Sequence, residues 1–226
     1  MVMKTRKNAR MSTETLTMGA VLTALVVVLQ GVAPLIAKIP GLPFEFTLVL
    51  IPIVIGAAKC GPYMGGWLGL VFGMLVLFIP SEFTVFFLST NAFGTIFTVL
   101  AKGFLCGLAS GFVYRLLEKK SKTIAVYVAA AVCPMVNTGV FFLGCLLFFM
   151  DTVAGLATAY GLGDNVALYM FSVLAGVNFI VEFITNVLLS RIIIRVLGMK
   201  KESKLPLPEV DSEAQPEVES SEDGQN

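Results

Sequence analysis

Val177-Asn178-Phe179-Ile180-Val181-Glu182-Phe183-Ile184-Thr185-Asn186 carries three polar side chains inside a run, Val166 to Ser190, that is otherwise almost wholly apolar. Asn178, Glu182 and Asn186 are spaced four residues apart, so a helix stacks them along one face. A carboxylate in a lipid-embedded helix is costly unless it is paired, protonated or next to water. We therefore expect this face to look inward, as the wall of a small polar pocket in a bundle of membrane helices.

Buried asparagines also serve as hydrogen-bonded clamps between membrane helices. For Asn186, the pocket and the clamp both stay open. For Glu182 the pocket is favoured, because an ionisable residue inside a membrane is a functional candidate by default.

The composition predicts a polytopic membrane protein. Of 226 residues, 57% are hydrophobic and 14% are charged, whereas a soluble domain has about 25% charged residues. Several apolar runs approach the roughly 20 residues that cross a bilayer. The chain has room for one helical bundle and no soluble catalytic domain. A net charge of +1 gives no support for a nucleic-acid partner.

The residue inventory argues against an enzyme. The chain has no His, which excludes His-based general bases and His-ligated metals. Its four Cys lack CxxC spacing and are expected to be small core residues, and there is no phosphate-binding GxxxxGK[ST] motif. We expect no cofactor or metal in this chain.

The apolar runs predict an all-α bundle of six transmembrane helices over residues 13–198. Residues 1–12 are a basic N-terminus and residues 199–226 an acidic tail expected to be disordered. Residues 38–45, 80–90 and 151–165 are predicted outer loops, the second and third carrying aromatic residues (Phe83, Phe86, Phe87 and Tyr160). Thirteen Lys and Arg residues fall at the inner ends of the spans. The positive-inside rule therefore predicts that both termini are cytoplasmic.

Small residues recur at a spacing of four in three spans. Gly61, Gly65, Gly69 and Gly73 form a smooth ridge in the third span, and Gly103, Gly107 and Gly111 form another in the fourth. Such ridges let helices approach closely. The third-span ridge is predicted to pack against spans one or two, or to dock another protein. Ala20 and Ala24 make a similar pair in the first span.

Helical rise places the buried polar residues at one depth. At ~1.5 Å per residue, Lys102 and Asn178 lie ~20 Å and Asn137 ~22 Å from the inner face, with Glu182 one turn deeper at ~14 Å. Groups from three spans thus share one level in an apolar core ~30 Å thick. They predict a site for a small, partly aromatic and polar molecule, either neutral or anionic, that enters from outside. The alternative is a structural Lys102–Glu182 ion pair with Asn137 and Asn178 as clamps.

The chain resembles the substrate-binding S-components of energy-coupling factor (ECF) vitamin transporters over about residues 12–198. The resemblance is carried by Ala20-xxx-Ala24, by Ile51-Pro52-Ile53-Val54-Ile55-Gly56 leading to Gly61-Pro62 and the glycine ridge, and by Pro134-Met135-Val136-Asn137-Thr138. The likeness is greatest to the subgroup that takes up riboflavin, folate, pantothenate or pyridoxine-like compounds.

This resemblance implies a high-affinity binding subunit in a bacterial cell membrane. The vitamin would be held by spans four to six and the outer loops, with Lys102, Asn137, Asn178 and Glu182 as substrate-binding residues. The resemblance also implies a transmembrane coupling subunit with paired ATPases as partners, which use the ATP, and places Ala20 and Ala24 at the interface with the coupling subunit.

Two other classes of protein remain as alternatives. An autonomous carrier is one, although carriers often show duplicated halves that this chain lacks. An intramembrane enzyme is the other; Ser110 or Ser172 would be its nucleophile and Lys102 its base, without a Gly-x-Ser-x-Gly context.

Overall fold

The computed structural model describes residues 13–36, 48–163, 165–174 and 176–198, and every regular element within these ranges is helical. The helices are α1 (Thr13–Ile36), α2 (Leu50–Cys60), α3 (Pro62–Phe78), α4 (Glu82–Thr90), α5 (Ala92–Leu117), α6 (Lys122–Phe148), α7 (Met150–Ala159), α8 (Val166–Tyr169) and α9 (Gly176–Val196). A π-helical turn, Met170–Leu174, follows α8. The predicted all-α fold is confirmed for this part of the chain. The predictions for 1–12, 38–45 and 199–226 lie outside the described residues.

The long apolar helices make this a multi-pass membrane protein. Thr13–Ala33 of α1, together with α5 and α6, are long and apolar enough to cross a bilayer. The number of candidate spans among the described residues is therefore three, or up to five if each of two bent pairs, α3 with α4 and α8 with α9, is counted as one span. The remaining apolar helix, α2, has 11 residues, which cover ~16 Å of a ~30 Å apolar core. The count of six spans and the orientation of the termini stay predictions.

The helix starts follow from local capping chemistry. Gly61 adopts φ 102°, which favours glycine, and Pro62 then occupies the first turn of α3. The Asn91 Oδ1 accepts a hydrogen bond from the Gly94 N–H at 2.9 Å and begins α5. Ser121 caps α6 in the same way.

The predictions of loops at 80–90 and 151–165 are wrong over most of their length. Both segments form helices, α4 and α7. The Ser81 Oγ accepts from the Thr84 N–H and caps α4, while Val153 and Ala157 bury one face of α7. The axis of α4 turns 84° from that of α3, so α4 runs across the end of the bundle instead of extending a span.

The sixth predicted span is not one uninterrupted helix. The described residues give α8, the π-helical turn and α9 in succession. A π-helical turn widens the helix by one residue and is often found at functional sites. This turn ends four residues before Asn178, the first polar residue of the opening stretch.

The two glycine ridges pack on each other. An added Cβ at Gly69 would lie 1.8 Å from the Gly103 carbonyl oxygen, and one at Gly107 would lie 2.1 Å from that of Gly65. Helices α3 and α5 therefore meet backbone to backbone. The third-span ridge packs within the bundle, as one of the two predictions stated. Its main partner, however, is the fourth predicted span, α5, and not span one or two. Span two contributes Ala57, which faces Gly65.

The buried apolar residues form two clusters. The larger one joins α1, α2, α3, α5, α6 and α9, with Ile53, Val54 and Leu68 fully buried. The smaller one lies where α4, α6, α7, α8 and the π-helical turn meet, and contains Phe87, Phe149 and Leu174. The second cluster supports one side of the cavity described next.

Candidate functional site

A cavity opens at the end of the bundle that α4 crosses. Its empty space is about 750 Å³ including the mouth open to solvent. The lining residues come from α4, α5, α6, the π-helical turn and α9, and from the junction between α6 and α7. The lining residues are Phe83, Thr84, Phe87, Thr95, Thr98, Val99, Lys102, Asn137, Thr138, Phe141, Cys145, Phe149, Leu174 and Asn178.

Three of the four predicted substrate-binding residues line this cavity together. Lys102 comes from α5, Asn137 from α6 and Asn178 from α9. Glu182 is not among the lining residues. It lies one turn further along α9, 3% exposed, and its Oε1 accepts a hydrogen bond from the Asn178 Nδ2 at 3.3 Å.

Helical spacing explains how each wall is built. Thr95, Thr98 and Lys102 are three and four residues apart, so α5 presents them on one face. On α6, Asn137, Phe141 and Cys145 are spaced by four and form a second wall. The polar groups therefore converge because two amphipathic stripes face the same space.

Lys102 supplies the cavity with a positive charge. It is the only charged residue among the lining residues that the structure describes. Its Nζ lies 5.4 Å from the centroid of the Phe141 ring, a distance at which a ring face attracts a cation. The ammonium group is thus held at the cavity by the aromatic wall.

Several polar acceptors at the cavity are buried without a hydrogen-bond partner in the described part of the chain. They are the Asn137 Oδ1, the Asn178 Oδ1 and the Thr98 Oγ1. Such atoms are normally satisfied in folded proteins, so each one needs an explanation. A ligand carrying N–H or O–H donors would satisfy them.

Aromatic rings form the rest of the lining. Phe87 lies at the centre, with ring centroids 4.8 Å from both Phe83 and Phe149. Two of the predicted outer aromatics do not contribute: Phe86 packs edge-on against Phe87 from outside the lining, and Tyr160 lies 5.4 Å from the Tyr169 ring. The cavity therefore combines flat apolar surfaces with a few fixed polar atoms, as small-molecule sites commonly do.

The remaining predicted residues lie away from the cavity. Asn186 is 2% exposed and does not line it; its Oδ1 has no hydrogen-bond partner among the described residues. For a clamp through the Asn186 Oδ1, the described residues therefore supply no hydrogen-bond donor. Ala20 and Ala24 both lie on the exposed side of α1.

Sequence reasoning missed the hydroxyl groups and part of the aromatic wall. Thr95 and Thr98 precede Lys102 by seven and four residues, and Phe141 and Cys145 follow Asn137 at the same helical spacing. Extending the helical face from each predicted polar residue would have found all four. Phe149 and Leu174 carried no such signal, because Phe149 is the residue after the end of α6 and Leu174 lies in the π-helical turn.

The geometry does not assemble a serine–lysine pair. The buried Ser110 hydroxyl donates to the Ala129 carbonyl oxygen at 3.0 Å and joins α5 to α6. Ser172 is exposed and donates to the Leu168 carbonyl oxygen. Within the described ranges, no group of three or more His, Cys, Asp and Glu residues is placed to hold a metal ion.

Comparison with known proteins gives one family. The sequence model described as the ECF transporter substrate-specific component matches residues 14–197. No curated protein matches the chain.

Proposed function

Since the chain belongs to the family of ECF transporter substrate-specific components, we propose that it captures a vitamin or related micronutrient for an ATP-driven importer. The family is a transport component and not an enzyme family. The proposal concerns the kind of ligand, the site that holds it and the partners.

One observation supports the site above the others. Lys102, Asn137 and Asn178 come from three separate helices and line the same cavity. Polar side chains with independent structural roles would not be expected to converge on empty space, because burying a polar atom without a partner is unfavourable. A ligand-binding role accounts for both the convergence and the unpartnered oxygens.

The lining indicates the chemistry of the ligand. Phe83, Phe87 and Phe149 offer apolar faces to a ring or a short aliphatic chain. Lys102 offers a cation to an acceptor or an anionic group, and the asparagine oxygens offer acceptors to donors. Riboflavin, folate, pantothenate and pyridoxine-like compounds are the candidates, and all of them carry both N–H or O–H donors and acceptor oxygen atoms.

The transport machinery is proposed to be completed by other chains. A transmembrane coupling subunit with paired ATPases would supply the energy, and Ala20 and Ala24 on the exposed side of α1 would contact it. Small residues on a helix face allow a second helix to approach closely. The protein would lie in a bacterial cell membrane with both termini in the cytoplasm.

Identification of the bound molecule tests the proposal most directly. The full chain is purified in mild detergent, and small molecules released on denaturation are identified by mass spectrometry. We expect a vitamin-like compound that rebinds the emptied protein without being turned over. Chemical conversion of the compound by the purified chain would instead support an enzyme.

Uptake measurements separate an importer subunit from an autonomous carrier. Cells that express the chain with ECF coupling and ATPase subunits are expected to accumulate the identified compound, and cells lacking the ATPases are not. Uptake at equal rates in both strains would contradict the proposed partnership.

A further inference from the structure

We propose that Glu182 is a positioning residue: it turns the side-chain amide of Asn178 so that the carbonyl oxygen faces the cavity, and the site thereby selects ligands that present an N–H or O–H donor there. This inference rests on the proposed function only in taking the cavity as the ligand site. It changes the role expected for Glu182 from contact with the ligand to control of a neighbour that makes the contact.

The first step is the symmetry of an amide. The nitrogen and oxygen ends of an Asn side chain have nearly the same shape, but one donates and the other accepts. The shape of the cavity therefore cannot decide which end faces a ligand. Only a hydrogen bond to one end can fix the orientation.

Glu182 makes such a bond. Its Oε1 accepts from the Asn178 Nδ2 at 3.3 Å, across one turn of α9. A carboxyl oxygen with free lone pairs accepts hydrogen bonds, so Oε1 draws the nitrogen end of the amide toward itself. Burial of Glu182, at 3% exposure, removes competing water.

The oxygen end of the amide is then left for a ligand. Asn178 lines the cavity, and its Oδ1 is buried with no hydrogen-bond partner among the residues described. An acceptor left in this state is unfavourable until a donor reaches it. A ligand with an N–H or O–H group at this wall removes the penalty, and a ligand with a lone pair there does not.

The neighbouring walls extend the pattern. The Asn137 Oδ1 is a second unpartnered acceptor, on α6, and Lys102 is a donor on α5. The cavity is thus complementary to a molecule with two separate hydrogen-bond donors and one acceptor or anionic group. This description narrows the ligand class by hydrogen-bonding pattern and not by size.

A double-mutant cycle distinguishes positioning from an independent structural role. Binding of riboflavin, folate, pantothenate and pyridoxine is measured by calorimetry for the wild type, Glu182→Gln, Asn178→Ala and the double variant. A Gln accepts weakly and also donates, so the amide of Asn178 is no longer held one way. We expect Glu182→Gln to weaken binding about three- to tenfold in the wild-type background. With Asn178→Ala present, the same change should alter affinity by less than about twofold.

The matched control is Glu82→Gln. Glu82 is exposed at the start of α4, at the same end of the molecule, and its replacement removes an equal charge without touching Asn178. We expect unchanged affinity. Equal losses from Glu182→Gln with and without Asn178 would overturn the proposal, since Glu182 would then act by another route.

A second measurement needs no ligand. The Asn side chains of the full chain are labelled with ¹⁵N, and the Asn178 signal is assigned by its loss in Asn178→Ala. One Nδ2 proton should be shifted downfield and exchange slowly with solvent in the wild type, and Glu182→Gln should reverse both effects. An identical Asn178 signal in the two proteins would overturn the proposal.

The two measurements fail separately. If none of the four compounds binds the wild type and none co-purifies, the proposed function fails, and the spectrum alone decides whether Glu182 orients Asn178. If a different compound co-purifies, the cycle is run with that compound.

Discussion

Lys102 and Asn137 differ in what each already contacts in the ligand-free cavity. Lys102 lies over the Phe141 ring, so its charge is partly stabilised there. Asn137 is buried, and its Oδ1 has no partner among the described residues. Removing Asn137 should therefore cost the ligand-free protein little, because no internal hydrogen bond of that oxygen is lost.

Lys102→Ala and Asn137→Ala are each expected to weaken ligand binding by about tenfold or more, because each removes a polar side chain that would form a hydrogen bond with the ligand. Both variants should insert into the membrane normally, and Asn137→Ala should leave the melting temperature of the ligand-free protein nearly unchanged. Calorimetry with the identified ligand and thermal unfolding provide the measurements. Lys119→Ala, at an exposed position between α5 and α6, is the control. Full affinity in both cavity variants would show that the site lies elsewhere.

The sequence could predict the polar centre of the cavity because polarity inside an apolar helix is conspicuous. Lys102, Asn137 and Asn178 were found from composition and helical rise alone. Thr98 was not, since a Thr in a membrane helix commonly bonds its own backbone and gives no contrast. The common helix face of Asn178 and Glu182 followed from a spacing of four, but their hydrogen bond, and which end of the amide makes it, required atomic positions.

At the scale of helices, the closest backbone contact in the described part of the bundle lies between α3 and α5. An added Cβ at Gly103 would lie 2.2 Å from the Gly69 carbonyl oxygen. A backbone atom cannot rotate away as a flexible side chain can. A methyl group at this contact must therefore push the two helices apart.

Gly103→Ala is expected to destabilise the protein by ~1–3 kcal/mol through this overpacking. Gly139→Ala is the matched control, because an added Cβ at Gly139 meets nothing within 4 Å. Alanine is the better helix former by up to ~1 kcal/mol, so the control should unfold at the same or a higher temperature. The midpoints of thermal unfolding are compared in one detergent. Equal shifts of the same sign would refute the contact.

The short helix α4 places Phe87 over the cavity. The Phe87 ring is 4% exposed and contacts rings from α4 and from the end of α6. Its burial couples the position of α4 to the cavity lining. Loss of this ring should therefore affect binding as well as stability.

Phe87→Ala is expected to lower the free energy of unfolding by ~3–5 kcal/mol and also to weaken ligand binding, because the ring lines the cavity. Phe78→Ala removes an equal ring from a position that is 82% exposed and should change neither beyond experimental error. The free energy of unfolding is measured for both variants, and ligand affinity is measured at a temperature where each variant is folded. A Phe87→Ala variant that binds with wild-type affinity would separate α4 from the site.

Helical elements were predictable where they are long and apolar, and less so where they are short. α5 and α6 are long apolar runs, and the charged residues from Arg115 to Lys122 mark the end of α5 and the start of α6. α4 was mistaken for a loop because nine residues after Pro80 give too few turns for a periodic pattern. Its cap at Ser81 is the local signal that favoured a helix. The π-helical turn after α8 has no comparable sequence signature.

At the scale of the whole molecule, the exposed side of α1 bears on contact with a partner subunit. The distribution of charge bears on orientation in the membrane. Ala24 lies on that side with Val21 and Val28, each 59% exposed. Among the described residues, basic side chains lie in the connection between α5 and α6 and near the C-terminal end of α9. The first feature concerns the coupling subunit, and the second concerns orientation in the membrane.

Ala24→Leu is expected to leave ligand affinity unchanged and to abolish ATP-dependent uptake, because the larger side chain prevents close approach of a partner helix. Ala159→Leu, an equal enlargement at an exposed position of α7, should retain uptake. Both variants are assayed for binding in detergent and for uptake in cells with the coupling and ATPase subunits. Loss of binding in Ala24→Leu would place this surface at the ligand site instead.

Orientation is tested by labelling intact cells with a membrane-impermeant maleimide. In a Cys60→Ser background, Tyr160→Cys is expected to react from outside, and Lys120→Cys only after the cells are opened, as the positive-inside rule predicts. Both positions are exposed, so the reagent's access to each depends on the side of the membrane. The reverse pattern would place the cavity mouth toward the cytoplasm.

The contact between the glycine ridges limits how the cavity can adapt to different guests. With main-chain atoms already touching at Gly69 and Gly103, α5 has no room to retreat when a bulkier molecule enters. Extra volume must be found on the opposite sides, by displacement of α4 or by adjustment around the π-helical turn. Homologous chains that accept larger compounds should therefore differ there, while keeping the glycines that hold α5 in place.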